Sequence, residues 1–393
     1  MLIGLLTTSY PRSKDDISGI FIHNILEKTV HLNNNLQYQV IMPGESKIKK
    51  KEIWGNIQIN RFQYFFPCSM QKLATDSGIP TDLSSSLMAK LQLPFFLLSF
   101  WWKTILCCRK CQVLHAHFFP CGVIALMANI FLRKKTLLTL HGTDYRMLLK
   151  YKKNRLLKSI IHKFDGIICL GNESLNFIKD LQYPEEKTFF SRIAVDTKKF
   201  APTQKEARTK DFLRILWVGR IVPIKNIELL LEGIKYLLDK GIPLKLTIVG
   251  TGGEQKKMEE KAKKLKIDSN IEWVGQVGIN DLPPYYQNTD LFVLTSDSEG
   301  LPSSMLEAMS CEKPVILTNV GSISDVVEYN KNGFLFEPKN LNEFTELLLK
   351  FIQLDHKTKK EIGKAAREKI TAHFSIDNIS NEHLNIYKAI LGT

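Results

Sequence analysis

Short apolar runs of a few residues alternate with longer stretches in which apolar positions recur every three or four residues, and the alternation continues along nearly the whole chain. The first kind reads as buried strand and the second as amphipathic helix, so the pattern predicts an α/β protein with parallel sheets. In the first half, strands are predicted at 2–7, 38–42, 57–62, 113–116, 136–140, 166–169 and 188–193, with helices at 20–32, 83–109, 122–132 and 148–163. The stretch 201–210 (APTQKEARTK) is polar and aperiodic, the character of a linker. The pattern then restarts, with strands at 213–218, 244–249, 271–274, 291–294 and 315–318. Helices fall at 226–240, 255–265 and 303–310, and three more close the chain, the last at about 376–391.

A length of 393 residues fits two or three domains. The expected division is 1–204, completed by the closing helix at about 376–393, and 205–375. With 44% apolar and 24% charged residues, the chain has material for two cores, which excludes disordered, collagen-like and coiled-coil descriptions. Seven scattered cysteines do not make a disulfide scaffold, so a reducing compartment is expected. The first sixteen residues lack the basic segment of a secretory signal. The greasiest run, 91–108, is interrupted by Pro94 and Lys103 and falls short of the ~20 apolar residues that span a bilayer.

Charge sharpens the picture. Residues 1–200 hold 28 Lys/Arg against 14 Asp/Glu, whereas 201–393 hold 26 against 26, so the whole excess of +14 lies in the first half. That half is expected to meet an anionic partner. The aromatic and aliphatic run 91–102 (LQLPFFLLSFWW) is flanked by Lys90, Lys103, Arg109 and Lys110, and a second basic series spans Lys150 to Lys163. Such a mixture suits an anionic membrane surface; the plainer reading is a core helix with a solvated lysine face. No nucleic-acid module is present, and nucleic acid is not expected as a partner.

Loops that follow strands carry the candidate chemistry, because open parallel sheets bind ligands beyond their carboxyl ends. After the strand ending at Val218, Gly219 permits close backbone approach, and Arg220 and Lys225 set two cations beside a helix start, a good diphosphate site. The turn 248–254 (I-V-G-T-G-G-E) puts Gly250 where a nucleotide could approach or where only packing is served. In the segment 296–309 (S-D-S-E-G-L-P-S-S-M-L-E-A-M), Gly300, Leu301, Pro302 and Ser303 lead into a helix whose first amides offer an anion or hydroxyl site. Glu299 lies over the strand end and Glu307 one turn into the helix, carboxylates suited to sugar and ribose hydroxyls. The plainer alternative makes them turn and surface residues.

The Glu-x(7)-Glu spacing of Glu299 and Glu307, the G-R-I-V-P-I-K segment, L-T-I-V-G-T-G and N-G-F-L-F-E-P together resemble the retaining family-4 glycosyltransferases (glycosyl transferases group 1). The resemblance runs over nearly the whole chain and is densest between residues 213 and 338. It implies the GT-B fold, two facing Rossmann-like domains with the active site in the cleft between them. It further implies that Arg220 and Lys225 neutralise the departing diphosphate of a UDP or GDP sugar, that Glu299 holds the donor sugar and that Glu307 holds the nucleotide ribose. No metal or other cofactor is implied. Gly321 and Ser322 stand in the place of a glycine-rich loop near the nucleotide.

In the first half, Gly19 follows Ser18 at a helix start, and the resemblance implies that it contacts the donor diphosphate. His115 and His117, two apart at a strand end, share one face; they suit structure or, with a third ligand that is not evident, a metal. The resemblance points His117 at the donor sugar. His141 and Asp144 end the next strand and are candidates for acceptor binding, although His141 also suits a structural cap. Cys107, Cys108 and Cys111 read as helix cysteines rather than a zinc site. The function implied is retaining hexosyl transfer to a glycan or lipid-linked acceptor in cell-surface polysaccharide or glycolipid biosynthesis. A cytoplasmic enzyme, peripheral on the inner face of the membrane, is expected. The alternatives are a nucleotide-sugar epimerase of the same fold and a non-catalytic nucleotide-sugar-binding subunit.

Overall fold

The computed structural model describes residues 1–392 except 14, 15, 17, 18, 47, 75–78 and 204–211, and leaves aside the side chains at 80, 81, 143, 144 and 146. By packing, the chain divides into two units, Met1–Arg192 with Asp377–Thr393, and Ile193–Ile376.

The first unit is built on eight strands: β1 (Leu2–Leu6), β2 (Gln37–Pro43), β3 (Lys51–Trp54), β4 (Ile57–Phe62), β5 (Val113–His117), β6 (Lys135–Leu140), β7 (Gly166–Cys169) and β8 (Thr188–Phe190). They lie in the order β3-β4-β2-β1-β5-β6-β7-β8, parallel except for the β3–β4 hairpin. Alternation along each strand sends side chains to opposite faces. Ile3, Leu5, Val40 and Ile168 pack with the helix Ile20–Leu32 and the closing helix. Leu6, Ile41, Leu114 and Ile167 pack with the helices Leu87–Cys108 and Phe119–Leu132.

The second unit holds β9 (Leu213–Val218), β10 (Leu244–Val249), β11 (Ile271–Gly275), β12 (Leu291–Leu294), β13 (Val315–Thr318) and β14 (Phe334–Phe336), all parallel in the order β11-β10-β9-β12-β13-β14. Its inner strands β12 and β13 are fully buried, nearly continuous apolar runs because helices cover both faces. In each sheet the strand order reverses once, between β1 and β5 in the first and between β9 and β12 in the second. The crevice outside the carboxyl ends at such a reversal is where ligands bind in doubly wound sheets.

Several elements depart from the sequence pattern. The helix expected over 83–109 is two, Ile79–Ser85 and Leu87–Cys108, because the Ser86 hydroxyl accepts from the Ala89 N–H at 3.3 Å and starts a new helix. The helix expected over 148–163 divides likewise into Gly142–Leu149 and Arg155–Ile161, with Asn154 capping the second through the Leu156 N–H at 2.8 Å. Strands β3 and β14 and the helix Asn172–Asp180 carry too few periodic positions to be read from sequence. Residues 193–203 group with the second unit: Val195 bridges to Ser375, and Phe200 packs edge-on to Tyr286 at 5.7 Å. Most of the stretch read as a linker, from residue 204 onward, lies outside the described residues.

Candidate functional site

At the reversal point of the second unit the loops after β9, β10, β12 and β13 are stitched together by their backbones. The Gly219 N–H donates to the Val249 carbonyl at 3.0 Å, Ile221 N–H to Thr251 at 2.9 Å, and Glu254 N–H to Ile221 at 3.1 Å. Gly250 sits at φ 131°, and a Cβ there would lie 1.9 Å from the Gly219 oxygen. Its lack of a side chain thus serves the seating of one loop on the other. The Asp297 N–H donates to the Ile224 carbonyl at 2.8 Å, and the Ser322 N–H to the Gly300 carbonyl at 2.9 Å.

This frame brings the predicted residues to one place. Lys225 Nζ rests on Glu299 Oε1 at 2.5 Å, and the Ser296 hydroxyl donates to the same oxygen at 2.6 Å. The Lys225 and Glu299 side chains are 18% and 10% exposed, enough shielding to make the pair stronger than a surface salt bridge. Asn226, left-handed at φ 44°, caps the helix Ile227–Asp239 and donates to Asp297 Oδ1 at 2.9 Å, which fixes the turn carrying Lys225. Arg220 is exposed on the neighbouring turn. The helix Ser303–Ser310 starts at Pro302 without a side-chain cap, and Leu301 packs on the core of the unit.

Glu307 departs from the surface alternative: it is buried, and the Tyr286 hydroxyl donates to its Oε2 at 2.6 Å. Burial raises its carboxyl to about 7, partly offset by the Tyr286 hydrogen bond and the Lys199 charge. Because the folded state holds this proton more tightly than the unfolded chain, stability falls as pH rises from the ordinary value of 4.5 through about 7. Glu307→Gln is therefore expected to raise the stability of this unit above about pH 7, by up to about 3 kcal/mol. Denaturant titrations of both proteins on either side of that pH measure it; an equal difference at the two pH values refutes the assignment.

In the first unit the loops after β1 and β5 meet at the other reversal point. Gly19, at φ 65°, is where the helix Ile20–Leu32 starts, and a Cβ there would lie 2.4 Å from the Ser9 oxygen. Ser18 lies outside the described residues. The paired histidines have different duties. His115 is satisfied on both sides, Nδ1 by the Tyr387 hydroxyl at 2.8 Å and Nε2 by the Thr139 hydroxyl at 2.7 Å, a structural role. His117 shares a hydrogen bond with His141 (Nδ1 to Nε2, 3.1 Å), while its Nε2 is buried without a partner. His141 stacks on Phe118 at 4.2 Å and meets the edge of Phe21 at 5.5 Å. Asp144 belongs to the helix Gly142–Leu149, and its side chain is outside the described ones.

His383 on the closing helix joins the cluster at 6.2 Å from the His115 ring, with both nitrogens buried and unpartnered. Nothing in its sequence surroundings marks it. Burial holds all four imidazoles neutral, with His141 lowered to about 3 and His383 to about 4. The unfolded chain takes up these protons more readily, so stability conferred above the ordinary value of 6.5 is lost as pH falls from there toward those lower values. The seven cysteines are all free. Among the described residues, no group of three or more His, Cys, Asp or Glu is placed to hold a metal ion.

Comparison with known proteins agrees with this architecture. The family model "Glycosyl transferases group 1" matches residues 199–369, and "Glycosyltransferase Family 4" matches 71–199. WcaL of Escherichia coli K12, a candidate colanic acid biosynthesis glycosyltransferase, is 25% identical over 291 residues, covering 72% of this chain and 71% of its own. The UDP-Gal:alpha-D-GlcNAc-diphosphoundecaprenol alpha-1,3-galactosyltransferase of Escherichia coli is 27% identical over 68% of this chain and 73% of its own. Among solved structures, sucrose-phosphate synthase of Thermosynechococcus elongatus superposes with a TM-score of 0.80 at 17% identity, covering 100% of this chain and 99% of that one. With two family models in tandem and the reversal-point loops built as described, the chain is a GT-B-fold glycosyltransferase whose residues 199–369 match the glycosyl transferases group 1 domain.

Proposed function

We propose that the enzyme moves a hexosyl unit, with retention of anomeric configuration, from a UDP or GDP sugar to a hydroxyl of a glycan or lipid-linked saccharide in cell-surface polysaccharide biosynthesis. It works at the cytoplasmic face of the membrane and without a metal ion. The observation that carries this reading is the Lys225–Glu299 pair at the β9/β12 reversal point. In the absence of donor the two charges neutralise one another. A bound nucleotide sugar separates their duties: the ammonium, with Arg220, faces the diphosphate, and the carboxylate accepts hydrogen bonds from sugar hydroxyls.

As the anomeric C–O bond breaks, positive character grows on the sugar and negative charge on the leaving phosphate. Lys225, Arg220 and the uncapped N-terminus of Ser303–Ser310 stabilise the second charge. The acceptor oxygen attacks from the face the diphosphate leaves, and its proton passes to the departing phosphate oxygen. Glu307 accepts from the ribose, which needs its ionised form. In the first unit, His117 Nε2, left without a partner, is assigned to the donor sugar, and the Gly19 backbone at the start of Ile20–Leu32 to the diphosphate. The galactosyltransferase relative, named for a UDP-Gal donor and a diphosphoundecaprenol-linked acceptor, supports both the nucleotide and the lipid-linked acceptor.

Thermal-shift titration with UDP and GDP sugars tests the reading. A matching donor at about 100 times its Kd stabilises the protein by about 2.7 kcal/mol. Nucleotide release only with a lipid-linked saccharide acceptor supports transfer. Epimer formation without acceptor would establish the epimerase instead, and binding with no turnover the silent subunit.

A further inference from the structure

The helix Leu87–Cys108 has two apolar faces, and only one is covered. On the inner side Ala89, Gln92, Phe96, Phe100, Thr104 and Cys108 are buried in the first unit. On the outer side Leu87, Leu91, Phe95, Leu98, Trp102 and Leu106 recur at the same spacing and are exposed, Leu91 at 62% and Trp102 at 54%. A surface helix ordinarily carries polar side chains there. The most apolar stretch of this helix is only 33% buried. The helix Phe119–Leu132 packs alongside and extends the face with exposed Met127, Ile130 and Phe131, and the edge of Phe131 meets Trp101 at 5.8 Å. A groove of about 430 Å³ between them is lined by Trp101, Trp102, Arg109 and Phe131. A contiguous exposed apolar face of this kind marks an interaction surface.

The charge around the face identifies what it meets. Between Asp82 and Asp144 the chain has no carboxylate side chain and seven Lys or Arg. Both helices lead into the adjacent parallel strands β5 and β6, so their carboxyl ends lie side by side at the amino ends of those strands. There Arg109 and Lys110 follow the first helix, and Arg133, Lys134 and Lys135 follow the second. The last three line a neighbouring hollow with Gln112, Asn129 and Asp165, whose carboxylate pairs with Lys135 at 3.1 Å and leaves Arg109, Lys110, Arg133 and Lys134 as the cations facing outward. A second copy of the chain docked face to face would set these cations against themselves. A membrane-crossing role conflicts with the buried inner face of Leu87–Cys108, which is part of the core of the unit.

We propose that this face docks the enzyme on an anionic lipid bilayer. Both helices lie in the interface plane, the seam from Leu87 to Leu106 with Ile130 and Phe131 enters the acyl boundary, and four cations at the helix ends, Arg109, Lys110, Arg133 and Lys134, meet headgroup phosphates. The proposal deepens the lipid-linked acceptor reading and rests on it for its purpose, yet the geometry is testable without it.

Flotation of the purified full-length protein with vesicles provides the test. Wild type is expected to float with phosphatidylglycerol-containing vesicles and not with pure phosphatidylcholine, and added salt is expected to weaken the association. The double variant Trp102→Ser, Phe131→Ser and the charge variant Arg109→Gln, Arg133→Gln, Lys134→Gln are each expected to lower vesicle binding by at least about tenfold. Their melting temperatures and nucleotide-sugar thermal shifts are expected to match wild type, because the altered side chains lie outside the donor site. Vesicle binding that neither variant weakens overturns the proposal. So does a dimer, seen by sedimentation equilibrium, that the Trp102 and Phe131 changes split. Retained flotation of wild type with turnover only on a water-soluble acceptor sustains the docking face and rejects the lipid-linked acceptor.

Discussion

Lys225→Ala and Glu299→Ala each lower the rate of sugar transfer by well over tenfold, more than about 1.4 kcal/mol of barrier, and leave the folded unit intact. The magnitude follows from position. The two side chains are shielded at the carboxyl ends of β9 and β12, where a charge opposite the leaving diphosphate acts with little solvent screening. The fold survives because Asn226 still holds Asp297, and the Gly219–Val249 and Ile221–Thr251 bonds still tie the loops. Since each residue is the other's partner, the double variant loses less than the sum of the single losses. Steady-state kinetics on the four proteins of this cycle measure the coupling. Near wild-type turnover in either single variant removes the pair from the donor site, and strict additivity removes the contact between them.

Gly250→Ala is expected to cost about 2–4 kcal/mol of stability in the second unit and to abolish nucleotide-sugar binding. Its Cβ has no room, at 1.9 Å from a backbone oxygen, and the obstacle is the Gly219 peptide, which cannot turn aside as a side chain would. Relief requires the loop after β10 to lift from the loop after β9, and that movement shifts Arg220 and Lys225. Gly253→Ala, three residues on, is the control: nothing lies within 4 Å of its added Cβ. Denaturant unfolding and donor titration of the two variants separate a local clash from a general intolerance of alanine in this turn. If Gly250→Ala is as stable and binds donor as well as Gly253→Ala, the stitched loops do not hold the site.

The carboxylate at Glu307 shows how differently position and environment are encoded. Its spacing from Glu299 is visible in the chain, but its burial and the Tyr286 hydroxyl that meets it come from a residue twenty-one positions earlier on another element. The histidines repeat the lesson. A separation of two residues at a strand end puts His115 and His117 on one face. Which of them is structural depends on Tyr387, 272 residues away, whose hydroxyl occupies His115.

Periodicity and local chemistry in the sequence determined the alternating elements, the parallel sheets, the loops that carry Arg220, Lys225, Glu299 and the glycines, and the family resemblance. All of these depend on neighbours within a turn or a strand, so short-range pattern is enough. Only the tertiary structure decided that Lys225 and Glu299 touch, that Gly250 makes room for a peptide, that of His115 and His117 it is His117 that keeps a nitrogen to spare, and that one side of Leu87–Cys108 is uncovered. These facts concern pairs far apart along the chain or the absence of anything packed above a surface. A linear pattern records which side chains are apolar; the packing of the folded chain decides which of them are left facing outward.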